Sequence, residues 1–203
     1  MKPALNYQEA ESFLRSLGAC RVLVAIDPNG PGIRGAFPRH SGELREFLKQ
    51  YTDIGWNLYF TPNRTRRALT RKPTKADIKW CDFFHAELDP VDDVKDLPAW
   101  HERIRAKLRS LDKPPSVIWS SGNGLQALWR LDPPVRLLGD AEIERCEAIN
   151  KALLEKLADP EIKVEGTWNI DRILRIPGTV NVPNKAKRAA GRRIIGTGNV
   201  EKI

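Results

Sequence analysis

In "YQEAESFLRSLG" the apolar residues Ala10, Phe13, Leu14 and Leu17 fall three and four apart and Gly18 follows, which predicts a short amphipathic helix. "CRVLVAID" then reads as a buried strand. "SGELREFLKQYTDIG" repeats the helical spacing with Ser41 as its expected N-cap, and "WNLYFTP" supplies a second strand. Together these stretches predict an N-terminal β-α-β-like unit.

Further along, "WCDFFHAELD" reads as a strand. "LPAWHERIRAKLRSL" reads as a helix, with Trp100, Ile104, Leu108 and Leu111 on one face. "PPSVIWSS" and "LQALWRL" follow as two strands. Only "GNG" and its neighbours separate them, the chemistry of a tight hairpin that needs positive φ. In "DAEIERCEAINKALLEKLA", Ile143, Cys146, Ile149, Leu153, Leu154 and Leu157 mark a longer helix that covers one face of the sheet. The remainder is rich in turn signals, with one short apolar segment around Ile173 to Ile176. No internal repeat or low-complexity linker is visible.

Composition narrows the class. A chain of 203 residues with 41% hydrophobic content can build a sizeable core. No apolar run approaches the roughly 20 residues of a membrane helix, and the N-terminus lacks the apolar stretch of a signal peptide, so a cytoplasmic protein without membrane attachment is expected. Cys20, Cys81 and Cys146 form no C-x-x-C pair, so they read as free thiols. The net charge of +8 favours a polyanionic partner. One basic block holds Arg64, Arg66, Arg67, Arg71, Lys72, Lys75 and Lys79, opposed only by Asp77; another holds Lys185, Lys187, Arg188, Arg192 and Arg193. Each block alone reads equally well as a solvated loop; flanking the acidic "ELDPVDDVKD", they suggest a phosphate-handling surface.

Three features can carry chemistry. In "HAELDP", Glu87 and Asp89 stand two apart on a strand and so share a face. Two carboxylates that close need a cation between them or a shared proton, and a hard divalent ion such as Mg²⁺ or Mn²⁺ suits them. The plainer alternative is a strand end in water where Asp89-Pro90 begins a turn. In "SSGNGLQALW", the small residues of Ser121, Gly122, Asn123 and Gly124 let a turn approach a ligand, or simply close a hairpin. In "NIDRILRIPGTVNVPNK", Asp171 precedes Arg172, Arg175, Asn181 and Lys185; a surface salt bridge is the alternative there.

The order of these three blocks resembles the archaeo-eukaryotic primase superfamily, in particular the RepB-like primase-polymerase catalytic domains of plasmids and phages. Members carry an acidic pair ending a strand, matched by Glu87 and Asp89 in "FHAELDP", where the first acid varies within the superfamily. A Ser-Gly-x-Gly-x-His hairpin is matched by Ser121 to Leu125 and then Gln126. A closing Asp-Arg-x-x-Arg-x-Pro-Gly-Thr-x-Asn segment is matched by Asp171 through Asn181 and is the most specific part. The departure is Gln126, which stands where many relatives place a histidine; glutamine donates a hydrogen bond but carries no charge.

The resemblance implies an α/β protein with the archaeo-eukaryotic primase fold, an RRM-like antiparallel sheet joined to an N-terminal α/β unit. The chain 1–203 would be a single primase-polymerase catalytic domain, with the N-terminal unit over about 1–62 and the RRM-like part over about 74–203. It implies a DNA primase and polymerase, a nucleotidyltransferase extending a 3′-hydroxyl on single-stranded DNA in plasmid or phage replication. Glu87, Asp89 and Asp171 would hold two Mg²⁺ or Mn²⁺ ions. Ser121, Gly122, Asn123, Gly124, Gln126, Arg172 and Lys185 would hold the dNTP or NTP. Arg64, Arg66, Arg67, Arg71, Lys72, Lys187, Arg188, Arg192 and Arg193 would contact the template or primer backbone, and a helicase domain or protein would be a further partner. Different readings remain: a catalytically weakened nucleic-acid- or nucleotide-binding replication module, and a metal-dependent nuclease using the three acids. A rolling-circle relaxase fits less well, since His40, His85 and His101 form no metal-binding pair.

Overall fold

The computed structural model describes residues 4–91, 94–163, 166–189 and 191–203. The N-terminal unit comprises α1 (Tyr7–Ser16), β1 (Leu23–Ile26), β2 (Ile33–Ala36), α2 (Ser41–Asp53) and β3 (Asn57–Phe60). The sequence did not announce β2, whose residues "IRGA" lie largely on the surface. It reverses the chain before α2, so β1 and β3 pair antiparallel, as in no β-α-β crossover. The N-cap of α2 is His40 rather than Ser41: its ring accepts from the Glu43 amide, and Ser41 is already helical.

The second unit is built from β4 (Arg64–Thr65), β5 (Ile78–Pro90), α3 (Leu97–Arg109), β6 (Val117–Ser120), β7 (Leu125–Arg136) and α4 (Asp140–Lys156). The remainder holds β8 (Ile162–Lys163), β9 (Leu174–Arg175), β10 (Val180–Asn181), α5 (Lys185–Ala189), β11 (Ile195–Gly196) and β12 (Gly198–Lys202). The large sheet runs β12-β6-β7-β5-β4, with β8 pairing the end of β5. All its pairings are antiparallel, and the tight β6-β7 hairpin expected at "SGNG" is present, with Gly122 at φ +106°.

Both faces of this sheet are covered, which explains why "VIWS" is buried throughout. One face, with Phe83, Trp119 and Leu128, packs on Phe13, Leu48 and Phe60 of the N-terminal unit. The other, with Ile118, Ala127 and Trp129, packs on Trp100, Ile104 and Leu108 of α3 and Leu154 of α4. Ile149, expected in the core face of α4, is 44% exposed, and Asn150 is buried in its place.

The segment after α4 is not a surface tail. β9 lies outside the large sheet and pairs with β3, completing the smaller sheet β2-β1-β3-β9. Residues 168–182 thus pass through the interior with few ladder partners, and their backbone groups must be satisfied otherwise. Buried amides supply the bonds. Asn63 donates to Ile170 O (3.1 Å), Asn150 to Trp168 O (3.3 Å) and Asn57 to Val182 O (2.9 Å), while Gln126 accepts from Arg175 N–H (3.0 Å). The Asn63 oxygen also accepts from the amides of Asp82 and Phe83, at a bulge in the β5-β7 pairing. Asn63→Ala should therefore strand three buried backbone groups. It is expected to lower unfolding free energy by about 3 kcal/mol or more in a urea titration, since each such group costs about 1–3 kcal/mol.

Candidate active site

Glu87 and Asp89 lie near the end of β5, both half-buried, where the strand emerges from the core beside the β6-β7 turn. Glu87 stands opposite Gln126 and Leu88 opposite Leu125; beyond them Asp89 stands opposite Lys163 of β8. The turn rests directly on the second acid. A Cβ added to Gly124 would come within 2.3 Å of Asp89 Oδ1 and 2.4 Å of Leu88 O, so only glycine fits there. Asn181 holds the turn from the other side, donating to Ser121 O at 2.9 Å, and Ser120 Oγ accepts from the Gly122 amide at 3.1 Å.

The third block arrives through Arg172. Its Nε pairs with Glu87 Oε1, while Gln126 Nε2 donates to Glu87 Oε2 at 3.1 Å. Glu87 is thus bracketed by two donors. Asp171 is half-buried and accepts from Asn169 Nδ2 at 2.7 Å. Among the described residues no three His, Cys, Asp or Glu side chains are gathered closely enough to hold a metal ion. The carboxylate pair on β5 nonetheless has the donor chemistry for Mg²⁺ or Mn²⁺, which are commonly held by one or two carboxylates plus substrate phosphates. Asp171 does not complete a three-carboxylate group with that pair.

Gln126, expected beside the triphosphate, is only 2% exposed, and both ends of its amide are used. Ser121 and Asn123 are half-buried on the turn, with Gly122 and Gly124 buried between them. Two residues earlier on β5, His85 is buried, and that burial pushes its ring down to about 4; its Nε2 bonds Thr167 O at 2.6 Å, so it is a neutral structural group. Arg175 is anchored rather than free: it donates to Asn57 Oδ1 (2.8 Å) and the Tyr59 hydroxyl (3.1 Å) and lies 4.8 Å over the Tyr59 ring. Sequence reasoning missed Asn57, Tyr59, Asn63 and Asn150, because nothing in isolated amides or a strand tyrosine distinguishes them from surface residues.

The basic blocks divide between structure and surface. Arg64 is taken up by Asp82, which also holds buried Arg21 at 2.9 Å, and lies 5.0 Å over the Trp80 ring. Arg71 forms a two-pronged pair with Asp77 at 2.7 and 2.8 Å, and Arg66 bonds the carbonyls of Ala76 and Leu137. Arg67 and Lys72 are exposed, as are Lys185, Lys187 and Arg193; Arg192 is half-buried, and exposed Arg188 donates to Asn29 at 3.0 Å. No helix among the described residues is long and apolar enough to cross a membrane.

Solved structures share this architecture. The AEP domain of the primase-polymerase of cyanophage S-2L aligns with a TM-score of 0.60 at 16% identity, over 97% of this chain and 91% of that one. Primase RepB' aligns with a TM-score of 0.56 at 14% identity, over 86% of this chain and 50% of that one, so the present chain matches half of its length. No protein-family model matches the sequence, and no curated protein is found to be similar. The chain has the fold of archaeo-eukaryotic primase-polymerase domains.

The packing of Gly124 on Asp89 gives a direct test of the local geometry. Gly124→Ala must push the turn away from the backbone oxygen of Leu88. It is expected to destabilise the protein by about 1–3 kcal/mol, the usual cost of overpacking. Thermal and urea unfolding of the variant measure this.

Proposed function

We propose that the protein is a template-directed nucleotidyltransferase of the primase-polymerase kind, acting on single-stranded DNA with dNTPs or NTPs. The observation that carries this reading is the convergence of three separated segments on one strand end. The glycine turn packs on Asp89, and the residue after Asp171 pairs with Glu87. In the reaction a 3′-hydroxyl oxygen attacks the α-phosphorus of the nucleotide, its proton is lost, and pyrophosphate leaves.

Glu87 and Asp89 would hold the divalent ion; Asp171, which does not complete a three-carboxylate group with them here, would have to move towards them to serve as a further ligand. Bound there, Mg²⁺ or Mn²⁺ would neutralise phosphate charge and lower the pKa of the attacking hydroxyl. The turn amides around Gly122 to Gly124 and the Ser121 hydroxyl offer donors for phosphate oxygens beside the acids. Arg172 and Lys185 are the cationic side chains assigned to the triphosphate. Arg67, Lys72, Lys187 and Arg193, all exposed, suit contact with a nucleic-acid backbone, an interaction that weakens as salt rises. Arg64 and Arg71 contribute less, since each is committed to an internal carboxylate.

A second reading, a nucleic-acid- or nucleotide-binding replication module without chemistry, is favoured by the absence of a three-carboxylate group among the described residues. One experiment separates the two. Labelled dNTPs and NTPs are offered on primed and unprimed single-stranded templates with Mn²⁺ or Mg²⁺, comparing the parent with Asp89→Ala. Metal-dependent products that vanish in the variant, while template binding stays within about twofold, are expected, because a metal ligand is distinct from a backbone contact. Equal activity of the two proteins would overturn the site; no product with tight binding retained would establish the module, and shortening of the primer a nuclease.

A further inference from the structure

Glu87 is held by two donors of opposite character. Gln126 is buried, and its Oε1 is committed to the Arg175 amide at 3.0 Å. Turning the amide over would set NH₂ against N–H and leave both unpaired, so Nε2 is aimed permanently at Glu87 Oε2, 3.1 Å away. Arg172, bonded to the other oxygen, has a side chain 34% exposed and reaches Glu87 from the irregular segment before β9. One bond is anchored to a second sheet; the other belongs to a long side chain with access to solvent.

We propose that Gln126 is a positioning residue. It pins Glu87 by Oε2, so that Oε1 is the oxygen delivered to a divalent cation, and the cation and Arg172 compete for that oxygen. The inference rests on the nucleotidyltransferase reading and gives it a loading step: a cation arriving at Glu87 releases the Arg172 guanidinium, which is then free for a phosphate. It also gives a task to a glutamine too buried to meet a nucleotide. The orientation of a carboxylate ligand is commonly set by such an outer hydrogen bond, whose loss weakens metal binding by about 10- to 100-fold.

The test is Mn²⁺ affinity of the full chain without nucleotide, measured by calorimetry on the parent, Arg172→Gln and Gln126→Leu. Arg172→Gln is expected to bind Mn²⁺ about tenfold more tightly, as a competing cation is removed, and Gln126→Leu about tenfold more weakly. Should Gln126→Leu fail to fold, Gln126→Asn takes its place; it keeps an amide but is one methylene too short to span Glu87 and Arg175 together, and the same weakening is expected. Unchanged or weaker binding by Arg172→Gln overturns the competition. Parent-like affinity in a folded Gln126 variant overturns the positioning role. Should the parent bind Mn²⁺ only with a dNTP present, the same comparison is made in its presence; a parent that binds none in either condition overturns the site reading itself, which separates that failure from failure of this inference.

Discussion

Four buried side-chain amides hold in place the stretch on which the arrangement depends. Residues 168–182 cross the interior between two sheets, where regular pairing is limited to the two-residue strands β9 and β10. An unpaired backbone group there costs about as much as a lost hydrogen bond. A primary amide suits the need because it offers both an acceptor and donors on one short side chain. Asn57, Asn63, Asn150 and Gln126 come from different parts of the chain, so each bond also ties the crossing segment to a separate element. Remove that stitching and Arg172 has no fixed route to Glu87.

The same logic explains why the candidate site sits at the end of β5 and not elsewhere on the large sheet. Through their central stretches β5, β6 and β7 are covered on both faces, which leaves little room for a ligand there. Toward Glu87 the side chains of β5 become partly accessible beside the β6-β7 turn. There the turn at Gly122 to Gly124 closes on the strand through Gly124, which has no side chain to hold it off, bringing the turn's backbone close to the acids. A carboxylate two residues further back would face the core, as His85 does; its neutral ring is what that environment tolerates.

Much of this was legible in the sequence, for identifiable reasons. The β6-β7 hairpin follows from "SGNG", because its geometry requires φ values that glycine alone adopts freely, and α3 follows from Trp100, Ile104 and Leu108 recurring on one face. The grouping of the Glu87, Gly124 and Arg172 blocks came from their order along the chain, and the structure brings them into contact. What escaped is non-local. β2 is a short exposed strand without alternation, β12 is hidden among turn residues, and β9 is defined by a partner more than a hundred positions away in the chain. The helix pattern of α4 placed Ile149 inwards, yet the position facing β5 is Asn150, because the backbone of His85 needs an acceptor there more than the core needs another methyl group.

Charge counting fails for a related reason. The block from Arg64 to Lys79 reads as a run of cations opposed by one acid, but sequence separation conceals Asp82, which draws Arg64 inwards together with Arg21. A guanidinium as buried as that of Arg21 is tolerable only beside a carboxylate, and Asp82 is in turn bonded by the Arg64 amide. Even among the exposed cations several are engaged, Arg71 by Asp77 and Lys75 by Glu147, so those available to a partner are fewer than the composition implies. An electrostatic attraction for nucleic acid would therefore be carried by a subset of the basic residues, while Arg64, Arg66 and Arg71 are engaged inside the second unit and Arg21 ties the N-terminal unit to it through Asp82. Net charge and local function are set by different residues within one run.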